Sequence, residues 1–128
     1  MEAVPILVVD DGAANRKLAR LLLEREGYEV VTAKDAETAL ELLRAFRPRL
    51  ILTDVRLPGM DGLTLTRRLK ADVGTKDIVI IALSAEAQHG DEERARVAGC
   101  AGYVTKPLDI PTLVAMVAGL LAEQQVSS

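Results

Sequence analysis

Asp10 and Asp11, Asp54, Ser84 with Ala85 behind it, and Lys106 before Pro107 each follow or close a short apolar run. Those runs are Ile6–Val9, Leu50–Thr53, Ile78–Leu83 and Tyr103–Thr105. In a parallel sheet the strand ends converge on one edge, so the five side chains would meet in one crevice. A carboxylate there can attack a phosphoryl group and become an acyl phosphate, provided it is ionised, exposed and offset by positive charge. Three carboxylates in one crevice repel each other and raise each other's pKa. A hard divalent cation with oxygen ligands resolves that conflict and grips phosphate; Mg²⁺ is the usual choice, with Mn²⁺ as a substitute. An ammonium on a flexible stem adds a movable point charge. A hydroxyl adds a donor for a phosphoryl oxygen. The set suits a Mg²⁺-dependent aspartyl-phosphate switch. Each piece alone has an ordinary reading: D-D-G is a common turn after a strand, Ser84 a common strand ending, and Lys106 a solvated lysine.

The elements that must position these groups alternate strictly. The strands are those four runs and Glu29–Ala33, and each is followed by an amphipathic helical stretch. Ile6-Leu7-Val8-Val9 and Ile78-Val79-Ile80-Ile81 are continuous in apolarity, as strands covered on both faces are. Asp35 can cap a helix that turns Ala36, Ala39, Leu40 and Leu43 to one side. Asp109 can cap the last helix, with Pro111 tolerated in its first turn and Ile110, Leu113, Val117, Leu120 and Leu121 expected to be buried. Gly27 and Gly99 stand where helix ends need a left-handed residue. The helix from about Asp91 to Ala98 has only Ala95, Val97 and Ala98 as apolar residues, so it is weakly anchored and a candidate moving part. Alternating β and α implies an α/β fold with a five-stranded parallel sheet between two helical layers, wound right-handed. The flavodoxin-like order 2-1-3-4-5 sets the first strand beside the third and so Asp10-Asp11 beside Asp54.

Bulk properties bound the rest. The 128 residues are expected to form a single domain, with an ordered core over about 4–123. At 49% apolar residues the chain can build a core. Three aromatic residues, Tyr28, Phe46 and Tyr103, are few for stacking nucleic-acid bases. A net charge of −3 and a pI of about 5.2 leave no basic footprint. Cys100 is the only cysteine, so no intrachain disulfide is possible. The N-terminus lacks a basic segment before its apolar run, and the longest apolar stretch, Leu113 to Ala122, is too short to span a bilayer. A cytoplasmic domain without membrane contact is the expectation.

Together, V-V-D-D at 8–11, N-R at 15–16, D-V-R-L-P-G-M-D-G at 54–62, A-L-S-A at 82–85 and G-Y-V-T-K-P at 102–107 resemble the receiver domain of two-component response regulators. The resemblance runs from Val4 to about Glu123 and implies a receiver in a phosphorelay, read first as stand-alone and alternatively as a receiver cut from a hybrid kinase or a longer regulator. It implies Asp54 as the phosphoacceptor. Asp11 and Asp54 would ligate Mg²⁺ directly, Asp10 mainly through water, and the Arg56 backbone carbonyl would add a ligand. It implies that Lys106, aimed by a cis bond to Pro107, pairs with Asp54 and then with the phosphoryl oxygens. Ser84 is the switch hydroxyl, with small Ala85 leaving the phosphoryl group room. Tyr103 is its aromatic partner or, equally, a core tyrosine with its hydroxyl at the surface. Such a domain is not an enzyme in the ordinary sense: it assists its own phosphorylation and autodephosphorylation.

By the geometry that the resemblance implies, Arg56 and Glu86, two residues after Asp54 and Ser84, would flank the line along which water attacks the acyl phosphate. They are expected to pair and slow its loss, or else to be two solvated side chains. The leucines at 18, 21, 22 and 23 span a wider arc than one sheet-facing stripe needs. The arc reads either as a broadly buried helix or, as the resemblance suggests and by a slight preference, as partly a docking patch for a histidine kinase or a histidine phosphotransfer protein. The output is expected to be an unknown protein target, contacted through the fourth helix, fifth strand and fifth helix. His89 reads as a solvated loop residue, and Cys100 as a buried, inert thiol. Ala101-Gly102-Tyr103 lacks an acidic pair near the fifth strand, which favours a monomer.

Two other classes fit less well. Phosphatases with an aspartyl nucleophile typically carry D-x-D after the first strand, whereas here the pair is adjacent. A flavin carrier would need a hydroxyl- and glycine-rich phosphate loop where this chain has carboxylates.

Overall fold

A computed structural model describes residues 3–85, 90–107 and 109–126, the last two as backbone only. Its strands are β1 (Pro5–Val9), β2 (Glu29–Ala33), β3 (Leu50–Asp54), β4 (Val79–Ser84) and β5 (Gly102–Thr105). Its helices are α1 (Ala13–Arg25), α2 (Ala36–Leu42), α3 (Gly62–Ala71), α4 (Asp91–Ala98) and α5 (Ile110–Val126). All strand pairs are parallel, and the sheet order is β2-β1-β3-β4-β5, the flavodoxin-like arrangement.

The continuous apolar strands divide their side chains between two cores. Leu7, Val9, Ile51, Ile80 and Ala82 pack with Ala36 and Ala39 of α2, Leu65 and Leu69 of α3, and Ala95 and Ala98 of α4. Ile6, Val8, Leu50, Leu52, Ile81 and Leu83 pack with Ala19 and Leu23 of α1 and with Leu113, Val117 and Leu121 of α5. Alternate residues of one strand face opposite layers, which is why Ile6–Val9 of β1 and Leu50–Leu52 of β3 are apolar without a break.

Register sets the functional edge. Val9 pairs with Thr53, Asp54 with Leu83, and Ser84 with Thr105. Asp54 and Ser84 are thus the last residues of their strands, and Asp10 and Lys106 the first residues after theirs. The α2 cap is as expected, with Asp35 accepting from the Thr38 amide at 2.7 Å. Gly27 and Gly99 hold φ of 96° and 117° at their helix ends. Asp61 caps α3 the same way, accepting from the Thr64 amide at 2.8 Å.

The last helix differs from expectation. Leu113, Val117 and Leu121 are buried, but Leu120 only partly, and Ile110 is 37% exposed. The buried stripe is the i, i+4 line through the first three, and it begins a turn after Ile110. Asp109 opens that helix by accepting from the Leu113 amide through its carbonyl, and its carboxylate takes the Thr112 hydroxyl. On α1 the leucine arc splits: Leu22 and Leu23 are buried, while Leu18 and Leu21 are 46% and 56% exposed. α4 buries only Asp91, Ala95 and Ala98, the weak anchorage its composition predicts.

Candidate functional site

The edge formed by the ends of β1, β3, β4 and β5 carries Asp10, Asp11, Asp54, Ser84 and Lys106. Asp10, Asp11 and Asp54 each offer a carboxylate oxygen, and these oxygens lie within 4.8 Å of one another. Asp10 is buried and already engaged. Its Oδ1 accepts from the Gly12 amide at 2.8 Å and its Oδ2 from Lys106 Nζ at 2.6 Å. Arg16 reaches the Asp10 carbonyl at 2.8 Å, so the arginine of the N-R pair braces the turn rather than the carboxylates. Asp11 is exposed. Asp54 is buried as well: its Oδ2 accepts from Lys106 Nζ at 3.1 Å, and its Oδ1 takes a long contact, 3.4 Å, from the Arg56 amide.

The pairing of Lys106 with Asp54 is present, but the shorter bond goes to Asp10, a partner that sequence spacing did not indicate. Burial pushes the Asp54 carboxyl above its ordinary value, against the pull of Lys106. Burial would also lower the Lys106 ammonium, but its bonds to Asp10 and Asp54 outweigh that and raise it. The directions agree once one ammonium is seen to serve two carboxylates: it gains from both, while each carboxylate has only a share of it. Three carboxylates against one ammonium leave the cluster net negative. Oxygens spaced this way fit a single small cation, since bonds of roughly 2.1 Å put its ligands about 3–4 Å apart.

Ser84 is buried at the end of β4, and its carbonyl accepts from the Lys106 amide at 2.7 Å. Ala85 follows it and is exposed. The Lys106–Pro107 bond is cis. Tyr103 is half-buried against the α2–α3–α4 core, and its hydroxyl is enclosed with no hydrogen-bond partner among the described residues. A strand tyrosine with its hydroxyl at the surface is therefore not what the structure contains. Arg56 is exposed. Glu86 and His89 lie outside the described residues, so the Arg56–Glu86 pair does too. Cys100 is buried, and burial pushes its thiol up, as for an inert core cysteine.

Gly62 was legible only as a motif letter. A Cβ there would stand 2.0 Å from the Asp54 carbonyl oxygen, so only glycine lets α3 start this close to the end of β3. A concavity of about 680 Å³ lies beside the cluster between α3 and α4 and is lined by Arg56, Asp61, Arg67 and Arg94 among others.

Comparisons with known proteins agree with this geometry. A family model described as the response regulator receiver domain matches residues 6–118. The chain is 40% identical over 118 residues to a polar-differentiation response regulator, DivK, of Brucella anthropi, covering 92% of this chain and 96% of the relative. It superposes with TM-score 0.92 on a CheY-like receiver domain protein from Methanospirillum hungatei, at 28% identity and covering 99% and 100% of the two chains. It also superposes with TM-score 0.88 on the receiver domain of a signal transduction histidine kinase from Syntrophus aciditrophicus, at 31% identity and covering 94% and 92%.

Proposed function

The chain belongs to the response regulator receiver family, and on that premise we propose that it is a phosphorylation-operated switch with Asp54 as its phosphoacceptor. The single observation that carries this reading is the meeting of Asp10, Asp11, Asp54 and Lys106 at one sheet edge. In this reading an Asp54 oxygen attacks the phosphorus of a phosphohistidine on a histidine kinase or histidine phosphotransfer protein. The P–N bond breaks, and the imidazole leaves with a proton. Asp11, Asp54 and the Arg56 carbonyl would hold Mg²⁺ directly and Asp10 through water, and the ion would neutralise charge on the transferring group. Lys106 then exchanges its carboxylate partner for a phosphoryl oxygen, which a mobile ammonium does readily.

Ser84 donates to another phosphoryl oxygen, with Ala85 leaving room, and Tyr103 follows the loop that Ser84 draws in. The enclosed, unpartnered Tyr103 hydroxyl favours a role in that switch, because a buried orphan hydroxyl is costly in the resting state. Phosphorylation shifts an existing equilibrium rather than building a new fold. The exposed Leu18–Leu21 face of α1 is the donor's docking patch, and the output is a contact with a protein target. An acidic chain of this kind, acting as a monomer in the cytoplasm, needs neither nucleic acid nor membrane. Among the described residues no helix is long and apolar enough to cross a membrane.

The reading is tested with beryllofluoride, an acyl-phosphate mimic. With Mg²⁺ it is expected to shift the amide resonances of Ser84, Ala85 and Tyr103 in the wild type and not in Asp54→Ala. Identical spectra with and without the mimic would refute it. The Arg56–Glu86 shield is tested by decay: the wild-type phosphoryl group should outlast that of an Arg56→Ala/Glu86→Ala double variant several-fold, and equal lifetimes would remove the shield.

A further inference from the structure

Asp54 and the start of α3 are joined by Val55–Asp61, the segment that carries the Arg56 carbonyl. Its two ends are tied by local bonds: the Gly62 amide donates to the Val55 carbonyl at 2.9 Å, and the Arg56 amide leans on Asp54. Val55 and Leu57 are buried, and Met60 is partly so. The tip, Gly59-Met60, is held from outside the segment. Glu37, in the first turn of α2, accepts the Met60 amide on Oε2 at 3.2 Å. The same carboxylate lies over Gly59, where a Cβ would come within 2.9 Å of Oε2. Gly59 has φ of 73°, so the backbone of the tip needs glycine, and a Cβ there would have to push the Glu37 carboxylate aside.

Glu37 is exposed and buries nothing, so core packing does not explain its place. The first turn of a helix favours a carboxylate, and here its Oε2 is turned to the Met60 amide as an acceptor. A loop fixed before its ligand arrives loses less freedom on binding. We propose that Glu37 is a positioning residue: by capping the Gly59–Met60 turn from α2, it holds the segment that bears the Arg56 carbonyl in the shape that binds the cation. The proposal rests on reading Asp10, Asp11 and Asp54 as a Mg²⁺ site.

The test compares wild type, Glu37→Ala and Glu37→Gln. Amide hydrogen exchange at Met60 is followed without metal, and Mg²⁺ affinity is measured by titration calorimetry. Alanine is a good helix residue and Glu37 is exposed, so both variants should fold with little change in Tm in EDTA. Glu37→Ala is expected to speed Met60 exchange and weaken Mg²⁺ binding about three- to tenfold, at or below the low end for groups bonded directly to a ligand. Glu37→Gln keeps an acceptor oxygen at the same reach and should restore most of both. Unchanged Mg²⁺ affinity in Glu37→Ala, with or without faster exchange, would overturn the proposal. Equal weakening in the alanine and glutamine variants would overturn it too, because charge and not the cap would then be responsible. A wild type that binds no Mg²⁺ would instead sink the metal-site reading, and this proposal with it.

Discussion

Lys106 donates to both Asp10 and Asp54, so one ammonium is shared by two buried carboxylates while Asp11 stands beside them. The resting site therefore carries excess negative charge. Burial sets the Asp54 carboxyl above its ordinary value of 3.8. The folded state then holds that proton more tightly than the unfolded chain does. Stability from this source is present below the ordinary value and is lost as pH rises through it to the raised folded value. At neutral pH, without metal, the ionised carboxylate is a cost. Asp54→Asn should therefore raise Tm by a few degrees at pH 7 in EDTA, and the gain should shrink as pH falls toward 4. Saturating Mg²⁺ should reduce or reverse the difference, because binding to the native state stabilises the wild type more. Thermal melts across pH, with and without the metal, check both signs. At this scale Asp10, Asp11, Asp54, Ser84 and Lys106 were legible, because their types and their places after strands are sequence properties. The Asp10–Lys106 bond and the Glu37 cap were not, since each depends on a rotamer reaching across tertiary structure.

The helices divide between anchorage and contact. α1 buries Ala19, Leu22 and Leu23 and leaves Leu18 and Leu21 in solvent. Two large apolar residues on one exposed face, near the carboxylate cluster at the helix's start, suit a docking surface. Leu21→Lys is expected to leave Tm almost unchanged and acetyl phosphate uptake intact, while slowing transfer from a phosphorylated histidine donor at least tenfold. Loss of both phosphorylation routes together, or of neither, would contradict the docking role. Leu23→Ala is the contrasting control, since removing a fully buried leucine costs about 2–5 kcal/mol. Element types and most caps were readable from apolar periodicity and from Asp35, Gly27 and Gly99. The burial of α5 was read too broadly at Ile110, because periodicity gives the direction of a stripe but not where the sheet beneath it begins. The splitting of the α1 arc was open for the same reason.

For the whole molecule, strict β–α alternation makes a parallel sheet with two helical layers the natural outcome. The order β2-β1-β3-β4-β5 is not written in any one strand. The flavodoxin-like order was a choice among doubly wound arrangements, with Asp10-Asp11 beside Asp54 as its consequence, and the observed order and β1–β3 register bear it out. The neighbouring strands β1 and β3, buried but for Pro5, carry the carboxylates at their ends, while the thinly packed α4 lies downstream of Ser84. That division lets a charge change at the sheet edge move a helix without disturbing the core. The most direct test of the central claim is intact mass after incubation with acetyl phosphate and Mg²⁺, run beside Asp54→Ala and an EDTA control. One phosphoryl adduct per chain, absent in both controls, is the predicted result. An adduct that persists in Asp54→Ala, or no adduct with either acetyl phosphate or a phosphohistidine donor, would contradict it.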